Sequence, residues 1–211
     1  MKVTKITNLP VQDNEGRLYY TVRVDTDAGI HGLGEVGISN WGRAIANAVD
    51  HLGELVIGAD PWDTERLWQE MFRSGYFPAD KVYCCAISAI DIALWDIKGK
   101  SVNLPTYKLL GGQVRDKVVC YPHIIGTDKQ QIVEGSKKAV DEGWKFVRWG
   151  QPDPWGSFEP GGISIIEPDK SMRLAVELMG EVREAVGPDI QICFDVHTQL
   201  CLLYTSPSPR D

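Results

Sequence analysis

The sequence has no hydrophobic run long enough to cross a membrane, and its first residues lead us to expect no secretory leader. A membrane-spanning helix needs about 20 consecutive apolar residues, and no apolar run in the 211 residues approaches that length. Residues 1–5 are not followed by an apolar stretch with a small-residue cleavage site. We therefore expect a cytoplasmic protein without a membrane partner.

Paired cysteines are also missing. The chain has five cysteines, an odd number, and no two of them form a Cys-x-x-Cys pair. This set indicates neither a disulfide framework nor a zinc site, and it is typical of a reduced protein. Four of the five lie in segments whose pattern predicts a buried helix or strand: Cys84, Cys85, Cys120 and Cys193.

An excess of basic residues is lacking too. The chain carries 22 Lys and Arg against 29 Asp and Glu, a net charge of -7, which argues against nucleic acid as a partner. An anionic small molecule remains compatible with this charge, because a local cation or metal can reverse the sign inside a pocket. The length allows one or two domains.

The first part of the chain has the pattern of a small α+β domain. Residues 2–36 predict a three-stranded meander, and residues 42–57 carry apolar side chains at helical spacing. A second helix is predicted after Asp60-Pro61. A third, over residues 82–98, is apolar around nearly its whole circumference, which indicates burial between two layers. Together these elements predict an α+β domain over residues 1–115.

From residue 116 the pattern alternates between strands and helices. Such β-α-β-α-β alternation, with glycine ending each helix, implies parallel strands joined by right-handed crossovers. The predicted elements are a strand at 118–121, a helix at 129–142, a strand at 145–149, a helix at 172–186 and a strand at 190–196.

Two segments depart from this alternation. Residues 150–168 form a Pro-, Gly- and Trp-rich insertion, and a connection of that length is more often functional than accidental. Residues 201–211 cannot form the next helix, because two prolines fall within them. We interpret 201–211 as a non-native tail, with a disordered natural carboxyl terminus as the alternative.

A long motif identifies a family. The segment Ala86–Lys100, followed by Pro105, Tyr107 and Leu109-Leu110-Gly111-Gly112, resembles the signature of the mandelate racemase and muconate-lactonizing enzymes, a branch of the enolase superfamily. Within it we expect Asp91 and Asp96 to be structural, pairing with basic side chains or capping backbone groups. The early Gly32-Leu33-Gly34-Glu35 also fits the family's capping domain.

The resemblance covers residues 1–200 and implies an α/β architecture. It implies an N-terminal α+β capping domain followed by a modified TIM-type barrel that binds Mg²⁺, of which residues 116–200 would supply the first three β/α units. Because a complete barrel needs eight strands and about 250 residues, we expect a truncated fragment that is inactive alone. Family members abstract a proton α to a carboxylate, and the complete protein is expected to be a homo-oligomer.

The strongest candidate site is Asp195-Val196-His197. Residues i and i+2 of a strand point to the same side, and both polar residues follow the apolar run 190–194, at the carboxyl end where barrel active sites lie. A carboxylate there suits Mg²⁺, and the resemblance assigns Asp195 as the first metal ligand. The Asp-x-His pattern resembles galactonate and mannonate dehydratases, which implies that His197 is a catalytic acid. A helix-capping Asp195 and a supporting His197 imidazole are the alternatives.

Two further residues are candidate substrate contacts. Arg148 lies where racemases and lactonizing enzymes carry a Lys-x-Lys pair, but the first lysine position is Phe146, which disfavours their lysine chemistry. Arg148 could bind a substrate carboxylate bidentately or form a structural ion pair at the barrel mouth. His123 either contacts substrate or is an exposed rim residue.

The insertion bears on the substrate. Phe158-Glu159-Pro160 resembles the mannonate dehydratase pattern with phenylalanine in place of its tyrosine, which favours galactonate- or gluconate-type substrates. Trp149 and Trp155 could line the pocket or pack the loop.

The resemblance thus implies a Mg²⁺-dependent hydro-lyase that converts a sugar acid such as D-galactonate to a 2-keto-3-deoxy acid, through α-proton abstraction and an enediolate. A racemase or epimerase of the same branch, or a non-catalytic sensing protein, is the alternative.

Overall fold

The computed structural model describes residues 1–14, 16, 18–37, 41–150 and 168–196, and for 168–170 it describes the backbone alone. The chain divides into two compact units, Met1–Asp116 and Lys117–Asp211. The insertion beyond Gly150, with Trp155 and Phe158-Glu159-Pro160, lies outside the described residues, as do His197 and the 201–211 tail.

The first unit is the predicted meander followed by helices. Its three strands form an antiparallel sheet in the order β1-β2-β3, which confirms the prediction. In the described part of this unit, four helices follow the sheet. The elements are β1 Val3–Gln12, β2 Leu18–Thr26, β3 His31–Glu35, α1 Gly42–Val56, α2 Thr64–Phe72, α3 Lys81–Ser101 and α4 Thr106–Leu109.

Helix α3 packs against both the sheet and the other helices of this unit. Asp80 begins it by accepting hydrogen bonds from the backbone N–H groups of Val82 and Tyr83, which satisfies donors that a helix start leaves open. Its Ala86, Ile90, Leu94 and Ile97 are fully buried, because α3 packs on β2 and β3 on one side and on α1 and α2 on the other. The predicted burial between two layers is confirmed.

Glycine in β3 permits the close approach of α3. A Cβ atom at Gly34 would lie 1.9 Å from the Ala89 carbonyl oxygen, and one at Gly32 would lie 1.9 Å from the Ala93 carbonyl oxygen. Real Cβ atoms do not come that near to a backbone oxygen. The Gly-x-Gly of β3 therefore sets the distance between the sheet and the helix that carries the family-like motif.

The second unit is a parallel sheet with alternating helices. Its strands lie in the order β4-β5-β6, and both pairings are parallel, as predicted. Gly143 and Gly187, with φ of +97° and +79°, follow the two helices and end them in the left-handed conformation that glycine tolerates. The elements are β4 His123–Ile124, α5 Lys129–Asp141, β5 Phe146–Gly150, α6 Pro168–Val186 and β6 Gln191–Asp195.

The strand predicted at residues 118–121 is wrong. The strand that forms is His123–Ile124, and Val118, Cys120 and Tyr121 are exposed rather than buried. The register explains the difference, because His123 lies opposite Arg148 in β5. Residues 118–120 would then fall opposite residues 143–145, where the chain is still turning out of α5. A β-prone composition forms no strand without a partner at the matching position.

The core of the second unit lies between the sheet and its helices. Val147 and Trp149 of β5 are fully buried there and pack with residues of α5 and α6 that include Ile132 and Leu178. Trp149 is therefore a core residue on the helix side of the sheet, and it does not line the opposite face. In the described residues, no helix is both long and apolar enough to cross a membrane.

Candidate active site at the carboxyl ends of the parallel strands

The sheet face turned away from α5 and α6 carries the polar residues. Because side chains alternate along a strand, Val147 and Trp149 on the helix side leave Arg148 on the other side. His123 of β4 and Cys193 of β6 are the register partners of Arg148 on either side. The strands thus place a histidine, an arginine and a cysteine in one row across this face.

Asp195 lies one step further toward the carboxyl ends. It is the last residue of β6 and pairs in register with Gly150, two residues beyond Arg148. It therefore points to the same face as Cys193 and Arg148. This is the position at which polar residues of α/β barrels reach the active site.

Arg148 and Asp195 form an ion pair across the two strands. The guanidinium Nη2 of Arg148 donates to Oδ2 of Asp195, and the two side chains are 18% and 28% exposed. Gly150, opposite Asp195, has no side chain that could compete for the carboxylate. The contact matches the ion-pair interpretation of Arg148, whereas its role toward a substrate carboxylate stays a prediction.

The structure therefore brings three of the predicted site residues to one face. His123 is exposed beside Arg148, and Asp195 contacts Arg148 directly. The fourth, His197, lies outside the described residues. The sequence pattern predicts Cys193 only as a buried cysteine. It is exposed on this same face, and its spacing of two residues from Asp195 could have placed it there.

One described residue, Asp195, has the chemistry of a Mg²⁺ ligand. Asp195 is a hard oxygen ligand in a suitable position, and protein Mg²⁺ sites commonly use one or two carboxylates together with water and substrate oxygens. Within the described residues no group of three or more His, Cys, Asp or Glu side chains could enclose a metal ion. Asp195 thus has the chemistry of one ligand, and whether it binds a metal ion stays a prediction.

The titratable groups with shifted pKa values in the family-like motif lie within the first unit. Burial lowers the pKa of Lys98, while nearby carboxylates, Asp91 foremost, oppose that change. Burial also raises the pKa of Asp91; the charge of Glu65 adds to the rise and that of Lys98 opposes it. Because buried structural groups shift in the same way as catalytic ones, these shifts fit the expected structural role of Asp91.

A cavity of about 250 Å³ also lies within the first unit, lined by His51, Met71, Phe72, Tyr76, Phe77 and Tyr83 among others. It contains none of the predicted site residues and no carboxylate. The polar row at the strand ends, rather than this mainly aromatic cavity, is the candidate active site.

Comparison with known proteins identifies the family. The family model for the N-terminal domain of mandelate racemase and muconate lactonizing enzyme matches residues 5–111. This range includes both the Gly-x-Gly strand and the whole of α3.

Curated relatives extend the match into the second unit. A D-galactonate dehydratase family member, RspA, from Cellvibrio japonicus is 33% identical over 202 residues, covering 88% of this chain and 50% of the relative. A D-galactonate dehydratase from Pectobacterium atrosepticum is 34% identical over 197 residues, covering 93% of this chain and 48% of the relative. The chain thus spans about half the length of the curated relatives that it matches.

Solved structures share the fold. An enolase from Pantoea ananatis, crystallised with D-gluconate and Mg, matches with a TM-score of 0.77 at 24% identity, covering 96% of this chain and 55% of that one. The likeness extends over both units, so both have the fold of the corresponding part of that structure. The chain belongs to the mandelate racemase and muconate lactonizing enzyme family of the enolase superfamily.

Proposed function

We propose that the complete protein is a Mg²⁺-dependent hydro-lyase that dehydrates a sugar acid, D-galactonate or a related aldonate, to a 2-keto-3-deoxy acid. The observation that carries this proposal is the position of Asp195, which ends β6 on the same sheet face as Arg148 and His123. The names of the relatives support the reaction class, since both are described as D-galactonate dehydratases or members of that family.

Phe146 favours dehydration over racemisation. It occupies the first position of β5, where the resemblance would place the first lysine of a racemase base pair. A phenyl ring cannot exchange protons, so lysine base chemistry from this position is excluded.

Arg148 is proposed to orient the substrate. Its guanidinium is always charged and can hold a carboxylate through two parallel hydrogen bonds. The carboxylate of an aldonate would then compete with Asp195 for this guanidinium. Asp195 in turn would be one of the ligands of the Mg²⁺ ion, which when bound would offset negative charge on the substrate carboxylate as the α-proton leaves.

His197 is proposed as the acid of the second step. After the proton on C2 is removed, the bond between C3 and its hydroxyl breaks, and the leaving oxygen takes a proton to depart as water. The enol that remains tautomerises to the 2-keto-3-deoxy acid. A positioned acid of this kind contributes roughly 10²–10⁴-fold to the rate. The base and the remaining metal ligands are proposed to lie in the part of the complete protein beyond this chain.

The chain by itself is proposed to be inactive and prone to aggregate. Three parallel strands cannot close a barrel of eight, so β6 would keep an open edge able to pair with other chains. We further propose that the complete protein is a cytoplasmic homo-oligomer.

The test is to recover the full-length gene and assay the purified protein with Mg²⁺ against a sugar-acid library, with formation of 2-keto-3-deoxy acid as the readout. We expect turnover of an aldonate that EDTA abolishes. His197→Asn should lower kcat by roughly 10²–10⁴-fold, and Arg148→Met should chiefly raise KM for the acid.

Matched controls keep the test specific. Lys145→Met removes an exposed positive charge just before β5, and Asp141→Asn alters an exposed carboxylate at the end of α5, so neither variant should change turnover. If no sugar acid is dehydrated, or if His197→Asn retains full activity, the dehydratase proposal is wrong. Interconversion of C2 epimers without loss of water would point to the epimerase alternative.

A further inference from the structure

The outer edge of β3 presents unpaired strand positions. The N–H of Val36 donates to Tyr20 and the N–H of Thr26 donates to the carbonyl of Ile30, so the even-numbered residues of this segment turn toward β2. In an antiparallel pair the N–H and C=O of one residue point the same way. The backbone groups of His31, Leu33 and Glu35 therefore point outward, and within the described residues no strand pairs with them.

Two side chains of α3 bind two of these six backbone groups instead. The N–H of Leu33 donates to Oδ2 of Asp96 over 2.9 Å, and Nζ of Lys100 donates to the carbonyl oxygen of His31 over 2.8 Å. Lys100 and Asp96 also form an ion pair of 2.6 Å across one helical turn. An acceptor and a donor thus take the places that a neighbouring strand would fill.

The reach of the pair depends on the close approach of α3 to the strand. Gly32 and Gly34 lie directly against the carbonyl groups of Ala93 and Ala89, which brings the helix near enough for its side chains to curl over the strand edge. Proteins protect free strand edges because an open edge invites pairing with another chain. Here the edge is protected by the charged side chains of Asp96 and Lys100, which belong to the neighbouring helix α3.

We infer that the outer edge of β3 is a strand-pairing surface that Asp96 and Lys100 keep closed, and that the partner it fits is β3 of a second copy of this chain. The inference does not depend on the proposed enzymatic function. It concerns strand pairing between two copies of the chain, which the Asp96–Lys100 ion pair prevents.

Charge and symmetry identify the second copy as the partner. If two β3 strands pair antiparallel about a two-fold axis at Leu33, then Leu33 lies opposite Leu33, and His31 lies opposite Glu35 of the other copy. All three residues present outward backbone groups, so each position can form hydrogen bonds across the axis. Leu33 is 43% exposed, and an acid opposite a base stabilises cross-strand pairing. The outer edge of β3 is thus complementary to the same edge of a second copy, as a two-fold symmetric interface requires.

The experiment opens the edge and measures association of the 211-residue chain as a difference from the parent, so that any pairing at the open edge of β6 contributes equally to every variant. The variant D96A/K100A is compared with R66A/E70A, which removes an exposed ion pair of the same i,i+4 spacing on α2 that makes no contact with a strand edge. Sedimentation velocity over a concentration series gives the dimer dissociation constant, and far-UV circular dichroism checks folding. We expect D96A/K100A to lower the dissociation constant at least about tenfold, with R66A/E70A equal to the parent.

A third variant distinguishes pairing at the β3 edge from non-specific association. Leu33→Pro in the D96A/K100A background removes an outward N–H while keeping the hydrogen bonds of β3 to β2, as edge prolines do. It should return association to the parental value. The inference is overturned if D96A/K100A associates no more than R66A/E70A, or if the dimer persists after Leu33→Pro.

Discussion

The ammonium group of Lys98 lies 4.3 Å from the centroid of the Trp95 ring and donates a 2.8 Å hydrogen bond to Oγ1 of Thr64. The ring of Trp62 lies 5.6 Å from the same nitrogen. Lys98 is buried, and among the described residues its ammonium group contacts aromatic faces and a hydroxyl and forms no direct ion pair. Since Thr64 begins α2 and Lys98 belongs to α3, the hydrogen bond joins the two helices.

Replacing Lys98 should loosen the first unit. Lys98→Ala removes a desolvated cation–π contact and a buried hydrogen bond, so we expect a loss of about 2 kcal/mol of unfolding free energy. Urea denaturation followed by tryptophan fluorescence measures it. The control is Lys108→Ala, whose nitrogen lies 5.5 Å from the Tyr107 ring on the exposed part of α4. Equal losses in the two variants would show that burial of the ammonium contributes nothing.

Asp91 should give the stability a pH dependence. Burial raises the pKa of its carboxyl above the unfolded value of 3.8, so the folded state holds the proton more tightly than the unfolded state does. The resulting stability is present below pH 3.8 and is lost as the pH rises through the folded pKa. We therefore expect Asp91→Asn to be more stable than the parent at pH 7, with the difference narrowing toward pH 4. Denaturant titrations at both pH values measure it, and a difference independent of pH would contradict the assignment.

The glycines of β3 should not tolerate a methyl group. In Gly34→Ala the new Cβ would meet the Ala89 carbonyl oxygen at 1.9 Å, so strand and helix must separate, at a cost of about 3 kcal/mol. In Gly37→Ala nothing lies within 4 Å of the added atom, and the change should stay within about 0.5 kcal/mol. Thermal unfolding of both variants makes the comparison. A stable Gly34→Ala would mean that the sheet and α3 pack less tightly than described.

Arg183 should contribute to the second unit through the end of α6. Its Nη1 donates to the carbonyl oxygens of Gly187 and Ile190 over 2.6 and 2.7 Å, which ties the helix end to the start of β6. Arg183→Ala should cost about 1–2 kcal/mol and speed amide exchange at residues 187–192. The neighbouring exposed Glu184→Ala is the control. If amide exchange at residues 187–192 is unchanged in Arg183→Ala, the side chain of Arg183 does not stabilise the turn, and Gly187 alone determines its conformation.

The Arg148–Asp195 pair should show measurable coupling. We expect a double-mutant cycle with Arg148→Met and Asp195→Asn to give a coupling of about 1 kcal/mol in unfolding free energy, because both side chains are mostly shielded from water. High salt should reduce this value only slightly, since partly buried pairs are screened less than exposed ones. Strictly additive single variants would show that the contact does not stabilise the sheet.

Helix ends and strand order could be predicted because their signals are local. Gly143 and Gly187 end their helices at the predicted places, and the strand–helix alternation specified a parallel sheet. The position of β4 could not be predicted in this way. Its residues were chosen by register with Arg148 rather than by the β-prone composition of 118–121.

The candidate site was accessible to sequence reasoning in part. The two-residue period places Asp195 on the candidate-site face, the family resemblance selects Arg148, and its position at the end of the first predicted strand selects His123. Whether Arg148 contacts Asp195 depends on side-chain reach across two strands, which the sequence left open. The contact of Asp96 with Leu33 joins residues 63 positions apart, and only the folded packing of α3 on β3 brings them together. The expected structural role of Asp96 is confirmed, including its pairing with Lys100.

The close contact between β3 and α3 also constrains how such proteins can be recombined. Gly32 and Gly34 face backbone oxygens, so no substitution at position 89 or 93 can make room for a larger residue in the strand. A chimera that joins residues 1–60 of one relative to the remainder of another should fold only if the incoming strand has glycine at both positions, however similar the rest of it is. The Gly-x-Gly of β3 and the α3 segment that it contacts, more than fifty residues apart in the chain, should therefore be exchanged together.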